Sequence, residues 1–459
     1  MQNFIFNERI EPKKRAVNER IKDFQEIYDI YNPNEAATQA DRCVQCGDPY
    51  CHNACPLHNF IPHWLKTVAE KDLEFAFKIS NESSPFPEIM GRVCPQDRLC
   101  EGACTLNEGY GAITIGAIET FISEEGFKKG MRPEFSSKKT GKKVAIIGSG
   151  PAGLSCATYL LRAGIEPHVF ERADRAGGLL TYGIPNFKLD KRVIQRRVDW
   201  LIEAGMKLNL NVEVGKNLEF EELLENYDAI FIGIGATKPR RAGIAGENAK
   251  GAMMAMDFLT NIQRKLFGDS YDKDKEVKDK NVVVIGGGDT AMDCVRTSIR
   301  EGAKKAICVY RRDAASMPGS RKEVKNAQEE GAEFVYNAAP TRVLTDDEGK
   351  VIGVEFVKTI STTTKDGKRK LEIVKNSEFT IEADVVIFAL GFENTPLEFL
   401  AKHGIETNDW GAIKINSEYE TTKPGVYAGG DCYRGAHLVV TAAYDGREAA
   451  KSIIKKLIG

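Results

Sequence analysis

Seven of the eleven cysteines in this 459-residue chain are packed between residues 43 and 104. They form two groups, Cys43-x2-Cys46-x4-Cys51-x3-Cys55-Pro and Cys94-Pro-x4-Cys100-x3-Cys104. Thiolates are soft metal ligands. Seven of them so close together indicate that the N-terminal part forms loops that wrap around inorganic groups. Two glycine-rich turns follow further along the chain, and the combination is typical of a protein that moves electrons.

The bulk properties indicate the redox compartment in which these thiols work. The sequence becomes charged at Glu8 and Arg9, before an apolar signal core can develop. No apolar run approaches the roughly 20 residues that cross a bilayer. We therefore expect a cytoplasmic protein, in which structural disulfides are rare. Lys and Arg (64) nearly balance Asp and Glu (66), which gives no electrostatic basis for binding nucleic acid or an anionic membrane.

The spacing of the clustered thiols favours iron–sulfur clusters over zinc. Structural zinc takes four ligands, often as two CxxC pairs, whereas this segment has one CxxC and seven thiols. Seven is one short of the eight ligands of two 4Fe–4S clusters. Either one cluster is incomplete or another residue completes it, and His52, His58 and several carboxylates are candidates. Four further cysteines stand in apolar stretches and are expected to be buried core thiols, namely Cys156, Cys294, Cys308 and Cys432.

The first glycine-rich turn is Gly148-Ser-Gly150-Pro-Ala-Gly153, which follows a strand-like run and opens a helix-like one. In a dinucleotide site, such glycines permit the tight turn, the approach of the pyrophosphate and close helix–strand packing. The helix N-terminus supplies N–H groups and partial positive charge for the phosphates. Glu171 follows the next strand at the expected separation and can accept hydrogen bonds from ribose hydroxyls.

The second turn is Gly286-Gly-Gly288-Asp-Thr-Ala291, with alanine in place of the third glycine. Where an NAD site would offer an acid after the next strand, this chain offers Arg311 and Arg312. Guanidinium groups bind a 2′-phosphate, so the sequence favours NADPH over NADH, although a solvated strand end is the alternative. The residues that we expect to bind this coenzyme are Gly286, Gly288, Asp289, Thr290, Arg311 and Arg312.

A third segment assigns the flavin to the first turn. Val426-Tyr-Ala-Gly429-Gly430-Asp431 resembles the second flavin-contacting motif of flavoproteins with two dinucleotide domains, in which the aspartate binds the ribityl chain. Disulfide reductases of that architecture carry a redox cysteine pair near the position of Gly177–Tyr182, and none is present here. Electrons therefore need another exit from the flavin. The residues that we expect to bind FAD are Gly148, Gly150, Gly153, Glu171, Gly178, Gly430 and Asp431.

The order of these motifs predicts the domain organisation. A chain of this length is too long to fold around a single hydrophobic core, so several domains are expected. Helices are expected at Ile61–Phe77 and from Thr114, a linker at 133–143, and strand–helix alternation beyond it. Strand-and-glycine segments recur at 227–237 and 384–391, as expected where a chain crosses twice between two domains. We predict an α/β fold of four consecutive segments: a helical iron–sulfur domain (1–135), an FAD domain (141–236), an inserted NADPH domain (237–390) and the rest of the FAD domain (391–459).

Several longer stretches carry a family resemblance that spans nearly the whole chain. They are Cys55-Pro-Leu-His-Asn-Phe-Ile-Pro, Gly91-Arg-Val-Cys-Pro-Gln-Asp-Arg-Leu-Cys-Glu-Gly-Ala-Cys104, Gly177-Gly-Leu-Leu-Thr-Tyr-Gly-Ile-Pro185, Gly286–Arg296, Tyr310–Asp313 and Met317-Pro-Gly-Ser-Arg321. Together they resemble the small (beta) subunits of bacterial NADPH-dependent glutamate synthases. The N-terminal half of dihydropyrimidine dehydrogenase shares the cysteine ladder and the nucleotide domains.

The resemblance implies how the ligands divide between two 4Fe–4S clusters. One set would be Cys43, Cys46, Cys51 and Cys104, and the other Cys55, Cys94, Cys100 and Glu119. Glu119 falls where the dehydrogenase branch uses glutamine; an ordinary exposed glutamate on a helix is the alternative for this residue.

The resemblance also implies an NADPH-dependent oxidoreductase that receives hydride at FAD and passes electrons through the clusters to a large (alpha) subunit. The chain has neither a terminal cysteine nucleophile nor the length for a glutaminase, so we expect it to need that subunit to form glutamate from glutamine and 2-oxoglutarate. The main alternative keeps the module and changes the partner to a pyrimidine-reducing or ferredoxin-linked one. A non-catalytic assembly subunit would have lost its glycines and thiols, and a thioredoxin-reductase-like enzyme would need a cysteine pair beside the flavin.

Overall fold

The computed structural model describes residues 1–363, 369–395 and 397–459, and its N-terminal part is helical. Proline at the first or second position starts α2, α4 and α6, where its missing N–H costs nothing. A core of buried side chains, including Trp64 and Phe121, joins these helices. The helices are α1 (Val17–Arg20), α2 (Pro33–Asp41), α3 (Tyr50–Ala54), α4 (Ile61–Ala69), α5 (Leu73–Ser83), α6 (Pro87–Val93) and α7 (Ile115–Lys128).

The single helix predicted for residues 61–77 is wrong, because residues 70–72 separate α4 from α5. Lys71 adopts the left-handed conformation with φ 62°, which a helix cannot contain. Asp72 then caps the new helix by accepting a hydrogen bond from the N–H of Phe75 at 3.1 Å. Apolar residues of both helices enter the same core, so the apolar pattern continues across the break.

The first nucleotide domain is a parallel sheet of order β15-β4-β1-β2-β3 between layers of helix. Its strands β1 and β4 are fully buried apart from Lys143, as expected for a parallel sheet covered on both faces. Its consecutive elements are β1 (Lys143–Ile147), α8 (Pro151–Arg162), β2 (Glu166–Glu171), α9 (Leu179–Tyr182), α10 (Lys191–Glu203), β3 (Lys207–Leu210), α11 (Phe220–Asn226) and β4 (Ala229–Ile232).

The second nucleotide domain is a parallel sheet of order β6-β13-β7-β8-β9, flanked by an antiparallel sheet of order β10-β11-β12. Its elements are β5 (Lys238–Pro239), β6 (Ala252–Met254), α12 (Ala255–Phe267), β7 (Asn281–Ile285), α13 (Asp289–Arg300), β8 (Lys305–Tyr310), α14 (Arg321–Glu329), β9 (Glu333–Tyr336), β10 (Ala338–Thr345), β11 (Val351–Thr363), β12 (Arg369–Glu382) and β13 (Val385–Phe388).

The chain then returns to the first sheet, so the second domain is inserted in the first and the predicted fold class is confirmed. The two segments that connect the domains pair with each other: their strands β5 and β14 form a short antiparallel ribbon. Helix α17 packs along α8 beneath the first sheet. The last elements are β14 (Phe392–Glu393), α15 (Glu398–Lys402), β15 (Val426–Ala428), α16 (Asp431–Arg434) and α17 (Val439–Ile458).

All three parts of the chain meet at the buried carboxylate of Glu330. It accepts hydrogen bonds from Arg20 of the N-terminal part at 2.9 Å, from Arg296 at 2.8 Å and from Arg300 at 2.6 Å. Arg300 and Arg296 hold the pKa of Glu330 down at about 2 despite its burial. The ring of Phe187, from the first nucleotide domain, lies 4.0 Å from the guanidinium of Arg300. Breaking a buried ion pair is costly, so this contact stabilises one relative arrangement of the domains.

Over the ranges that the structure describes, no helix is both long enough and apolar enough to span a membrane.

Candidate redox centres

The first cysteine cavity, called cavity one here, spans about 360 Å³ of atom-free space in the N-terminal part, including space open to solvent. Short helical elements and loops place its thiols: Cys51 lies on α3, and Cys43 follows α2. The Cys46 thiol lies 3.2 Å from the hydroxyl of Thr105, which is exposed, so the cavity reaches the surface. The cysteines that line it are Cys43, Cys46, Cys51 and Cys104.

The second cavity, cavity two, spans about 390 Å³ including space open to solvent, and its lining residues are all buried or partly buried. Cys55 and Cys94 are the residues that end α3 and α6, and Glu119 lies on α7. The metal-ligating side chains that line it are Cys55, Cys94, Cys100 and Glu119. The structure thus brings together the members of each set that the family resemblance implied. Neither His52 nor His58 is among the residues that line the two cavities.

Glu119 is buried, which sets aside the alternative of an exposed surface glutamate. Its Oε1 accepts a hydrogen bond from the side-chain amide of Asn59 at 2.8 Å. Asn59 is itself fixed, because its Oδ1 accepts from the Ser83 hydroxyl at 2.7 Å and from the Trp64 indole at 3.2 Å. Burial raises the pKa of Glu119 to about 8. A metal bound in the cavity would supply the positive charge that ionises it.

The thiols fit a group larger than a single ion. Among the described residues, no three Cys, His, Asp or Glu side chains converge closely enough to hold one metal ion. A tetrahedral zinc site would bring four ligands to about 2.3 Å from one centre. Burial also raises the pKa of Cys94 and Cys100 well above its usual value, so these thiolates need metal charge to form. An iron–sulfur cluster supplies both the size and the charge.

The first glycine turn has the local geometry of a dinucleotide site. Gly148 has φ 97°, and a Cβ there would lie 2.6 Å from the carbonyl oxygen of Gly233. A Cβ on Gly153 would lie 2.0 Å from the carbonyl oxygen of Gly148, so helix and turn touch. No atom lies within 4 Å of the corresponding position on Gly150, where the turn is open to a ligand. These are the three roles predicted for the three glycines.

Glu171 lies beside this turn at the end of β2, as predicted. Its Oε2 accepts from the N–H and the hydroxyl of Ser149 at 2.9 and 2.6 Å, and its Oε1 accepts from the N–H of Ala173 at 2.9 Å. Gly178 approaches the turn closely, because a Cβ on it would lie 3.1 Å from the Cα of Gly150. Glu171 therefore holds the turn in place and keeps acceptor capacity on Oε1 for a ribose hydroxyl.

Asp431 begins α16 at the C-terminal edge of the same sheet. Its Oδ1 is buried and has no hydrogen-bond partner among the described residues, and burial raises the pKa of the side chain to about 7. The preceding Gly430 has φ 77° and donates its N–H to Asp445 at 3.0 Å. An unpartnered buried oxygen is costly, and a ligand hydroxyl would satisfy it. The site therefore fits the ribityl chain of FAD.

The second turn repeats this geometry at the start of α13. A Cβ on Gly286 would lie 2.4 Å from the carbonyl oxygen of Ala389, whereas the position above Gly288 is open. Asp289 and Thr290 form the first turn of the helix. Arg311 and Arg312 follow β8, and neither guanidinium has a hydrogen-bond or ion-pair partner in the described ranges. Both arginines are thus available for a phosphate group.

The sequence did not reveal one contact between the nucleotide domains. Lys188 of the first domain donates to Asp293 on α13 at 2.9 Å; the aspartate is buried and the lysine partly buried. The only local signal is a lysine between two apolar residues, Phe187 and Leu189. The four cysteines outside the cavities are buried in the hydrophobic cores, as predicted: Cys156, Cys294, Cys308 and Cys432.

Two family models match consecutive parts of the chain. Residues 20–131 match the family described as dihydropyrimidine dehydrogenase domain II, 4Fe-4S cluster, and residues 142–446 match the pyridine nucleotide-disulphide oxidoreductases. Among solved structures, FprA of Mycobacterium tuberculosis in complex with NADPH is similar, with TM-score 0.57 and 18% identity, over 69% of this chain and 84% of that one. Thioredoxin reductase of Lactococcus lactis is similar with TM-score 0.52 and 21% identity, over 69% of this chain and 99% of that one. These two likenesses show the fold alone.

Relatives of known name align over almost the entire chain. The glutamate synthase (NADPH) small chain of Escherichia coli (strain K12) is 47% identical over 99% of this chain and 98% of its own length. The protein of the same name from Azospirillum brasilense is 42% identical over 99% and 95%. The putative oxidoreductase AegA of Escherichia coli is 46% identical over 97% of this chain and 69% of its own length. The chain is therefore an iron–sulfur oxidoreductase that belongs to the family of glutamate synthase (NADPH) small chains.

Proposed function

We propose that the chain is the electron-input subunit of a glutamate synthase. It binds NADPH at Gly286–Gly288 and FAD at Gly148–Gly153, and it holds one 4Fe–4S cluster in each cavity. When bound, FAD accepts a hydride and releases single electrons, which is the conversion that iron–sulfur clusters require. The observation that supports the proposal is that cavity two is lined in part by the domain that fits FAD, while the adjoining cavity one reaches the surface.

Cavity two lies against the flavin domain. Val440 of α17 lines it, and α17 follows Asp431 and α16 directly in the chain. Cys55 and Cys94 pack against the hydrophobic core of the same domain. Every residue that lines cavity two is buried or partly buried, so this cavity offers no face to an external protein.

Cavity one adjoins cavity two and reaches the surface. Ile115 lines both cavities. Tyr50, which lines cavity one, is 56% exposed. Ile5, Phe6 and Tyr110 are also exposed apolar residues of this part. Exposed apolar side chains are typical of a docking surface, and these four residues of the N-terminal part, of which Tyr50 lines cavity one, are called the rim patch below.

The residues of the chain position the two nucleotides. Asp431 would accept a hydrogen bond from a ribityl hydroxyl, Glu171 one from a ribose hydroxyl, and the N–H groups of α8 would bind the pyrophosphate. Arg311 and Arg312 would bind the 2′-phosphate that distinguishes NADPH from NADH.

We propose the large (alpha) glutamate synthase subunit as the electron acceptor. The alignments that cover nearly all of both chains are to proteins named as glutamate synthase small chains. A second candidate is the same module serving a pyrimidine-reducing or ferredoxin-linked partner. What supports a partner other than the synthase subunit is that the relatives AegA and UacF, of which the chain covers 69% and 72%, are named as putative oxidoreductases and not as synthase chains.

Reconstitution tests this assignment. The purified chain should oxidise NADPH with artificial dyes and form no glutamate from glutamine and 2-oxoglutarate. Addition of the large synthase subunit from the same cell should restore glutamate formation. An affinity pull-down identifies the native partner. Recovery of a pyrimidine-reducing flavoprotein would favour the second candidate, and glutamate formation by the chain alone would contradict the division of labour.

A further inference from the structure

Residues 317–321, called the strap here, lie over the second glycine turn. The N–H of Gly319 donates to the carbonyl oxygen of Gly287 at 3.0 Å, and the N–H of Ser320 donates to Oδ1 of Asp289 at 2.9 Å. The strap leaves the space above Gly288 free, because no atom lies within 4 Å of a Cβ position there. It therefore forms one wall of the pocket in which a coenzyme pyrophosphate would lie.

The iron–sulfur domain holds this strap from outside. The carboxylate of Asp97 accepts from the Ser320 hydroxyl at 3.2 Å and from the N–H of Arg321 at 3.1 Å, so it caps α14 from another domain. Arg98 donates from Nη1 to the carbonyl oxygen of Pro318 at 2.5 Å. Both residues belong to a short 3-10 turn at Gln96–Arg98, inside the loop that carries Cys94 and Cys100.

The charges at the second glycine turn indicate that a pyrophosphate bound there needs a neighbouring cation. Asp289 places a carboxylate at the start of α13, where it would repel a pyrophosphate. Nη2 of Arg98 lies 3.5 Å from Oδ2 of Asp289. The neighbouring cation Lys188 is already paired with Asp293 at 2.9 Å.

Arg98 has donors to spare. Its side chain is 43% exposed, and Nη1 makes its one hydrogen bond to a described residue, so most of its five N–H groups are free. Arg98 therefore offers a positive charge and free donors beside the second glycine turn.

We propose that Arg98 is a coenzyme-binding residue that the iron–sulfur domain contributes, and that its free N–H groups donate to the pyrophosphate of the nicotinamide coenzyme. The inference rests on the proposed NADPH site and adds a residue to it. The loop that supplies two thiols to cavity two then also closes the coenzyme pocket, through Arg98 directly and through Asp97 by way of the strap. Since the pyrophosphate is common to NADPH and NADH, Arg98 serves both coenzymes, whereas Arg311 and Arg312 serve only the 2′-phosphate.

Calorimetric titration of the intact holoprotein separates these roles, with NADP⁺, NAD⁺ and 2′-AMP as ligands. Loss of a hydrogen bond to a charged group corresponds to about tenfold to a hundredfold in affinity. Arg98→Ala should weaken NADP⁺ and NAD⁺ by that factor and leave 2′-AMP, which lacks the pyrophosphate, unchanged. Arg311→Ala should weaken NADP⁺ and 2′-AMP and leave NAD⁺ unchanged. Arg98→Lys should fall between wild type and the alanine variant.

Iron content equal to that of wild type shows that the cluster loop is intact; if Arg98→Ala loses iron, Arg98→Gln replaces it. Unchanged NADP⁺ affinity in a variant with full iron content would overturn the inference. Arg98→Ala combined with Asp289→Asn tests whether Arg98 only neutralises Asp289; restored wild-type affinity would likewise overturn it. A wild-type protein that binds no NADP⁺ contradicts the proposed function itself, whereas wild-type binding with an unaffected Arg98→Ala contradicts this inference alone.

Discussion

Cavity one and cavity two have similar volumes and four metal-ligating side chains each, yet their surroundings differ. Cavity one is lined by four thiols and reaches the surface between Cys46 and the exposed Thr105. Cavity two is lined by three thiols and Glu119, and its wall includes Val440 of the flavin domain. One cavity therefore faces outward and the other faces the flavin site.

The difference in surroundings implies the order in which electrons would pass through the two cavities. A cluster in cavity two would lie on the flavin side, where no lining residue is exposed. A cluster in cavity one would lie beside the exposed Tyr50, and no residue of α17 is among those that line that cavity. With a cluster in each cavity, electrons would leave the flavin through cavity two and leave the protein through cavity one. Ile115 lines both cavities, so the two clusters would be neighbours.

The largest effect is expected when one cluster is removed from either cavity. Cys94→Ala and Cys104→Ala should each lower the iron content from about eight to about four per chain. Both should lower glutamate formation with the large subunit by more than about a hundredfold, because either loss breaks the route. Both should keep flavin reduction by NADPH. Cys156→Ala, which removes a buried thiol outside the cavities, is the matched control and should keep its iron. Full partner-coupled activity in either cavity variant would show that the cavities do not act in series.

Substitution of Glu119 should affect cavity two alone. Glu119→Ala should lose about four irons, since the eighth ligand is gone. Glu119→Gln keeps a carbonyl oxygen at the same position and should retain most of the iron. Glu125→Ala, on the same helix and outside both cavities, provides the control. The measurement is iron and acid-labile sulfide per chain, and unchanged iron in Glu119→Ala would exclude Glu119 as a ligand.

The pH dependence of iron loading should differ between the cavities. The pKa of Glu119 is raised to about 8 in the metal-free chain, so at neutral pH this carboxyl is protonated and must release its proton to bind metal. Loading of cavity two should therefore improve as pH rises towards 8. Between pH 6 and 8, the wild type should gain about tenfold more affinity per pH unit than Glu119→Gln, which has no proton to release. Identical pH profiles in the two proteins would show that Glu119 does not ionise on loading.

The smallest effect is expected at the rim patch of cavity one. Phe6→Glu and Ile5→Glu should weaken binding of the large subunit by about tenfold, the usual cost of a moderate interface residue. Iron content and dye reduction should remain at wild-type levels. Trp410→Glu is the control, because Trp410 is as exposed as Phe6, at 83%, and lies in the flavin domain. Equal loss of binding in the Trp410 variant would place the interface elsewhere.

Short sequence motifs predicted the parts of this fold that depend only on residues close together in the chain. Gly148 and Gly286 adopt backbone conformations that only glycine tolerates well, and the strand before each turn is apolar, so both turns could be located. The break between α4 and α5 was missed, because it rests on the left-handed conformation of Lys71 rather than on a glycine or proline. The exact bounds of the four segments stay predictions.

The candidate redox and coenzyme sites likewise combine residues that the sequence revealed with contacts that it did not. The thiols were evident from the sequence, but their spacing alone did not divide them between two cavities, and only the family resemblance implied that Cys104 joins Cys43. The contact of Asp97 with Arg321 joins residues 224 positions apart and leaves no periodic signal. The burial of Glu119 depends on Asn59, which is fixed by contacts from α4 and α5. Such contacts follow from tertiary packing, which local patterns do not encode.

The order in which electrons reach the two cavities is tested most directly by rapid mixing with NADPH, freeze-quenching and electron paramagnetic resonance. In Cys104→Ala, the cluster in cavity two should be reduced as fast as in wild type. In Cys94→Ala, the flavin should be reduced while the cluster in cavity one stays oxidised, because its only route leads through cavity two. Reduction of the remaining cluster in Cys94→Ala at the wild-type rate would contradict the account.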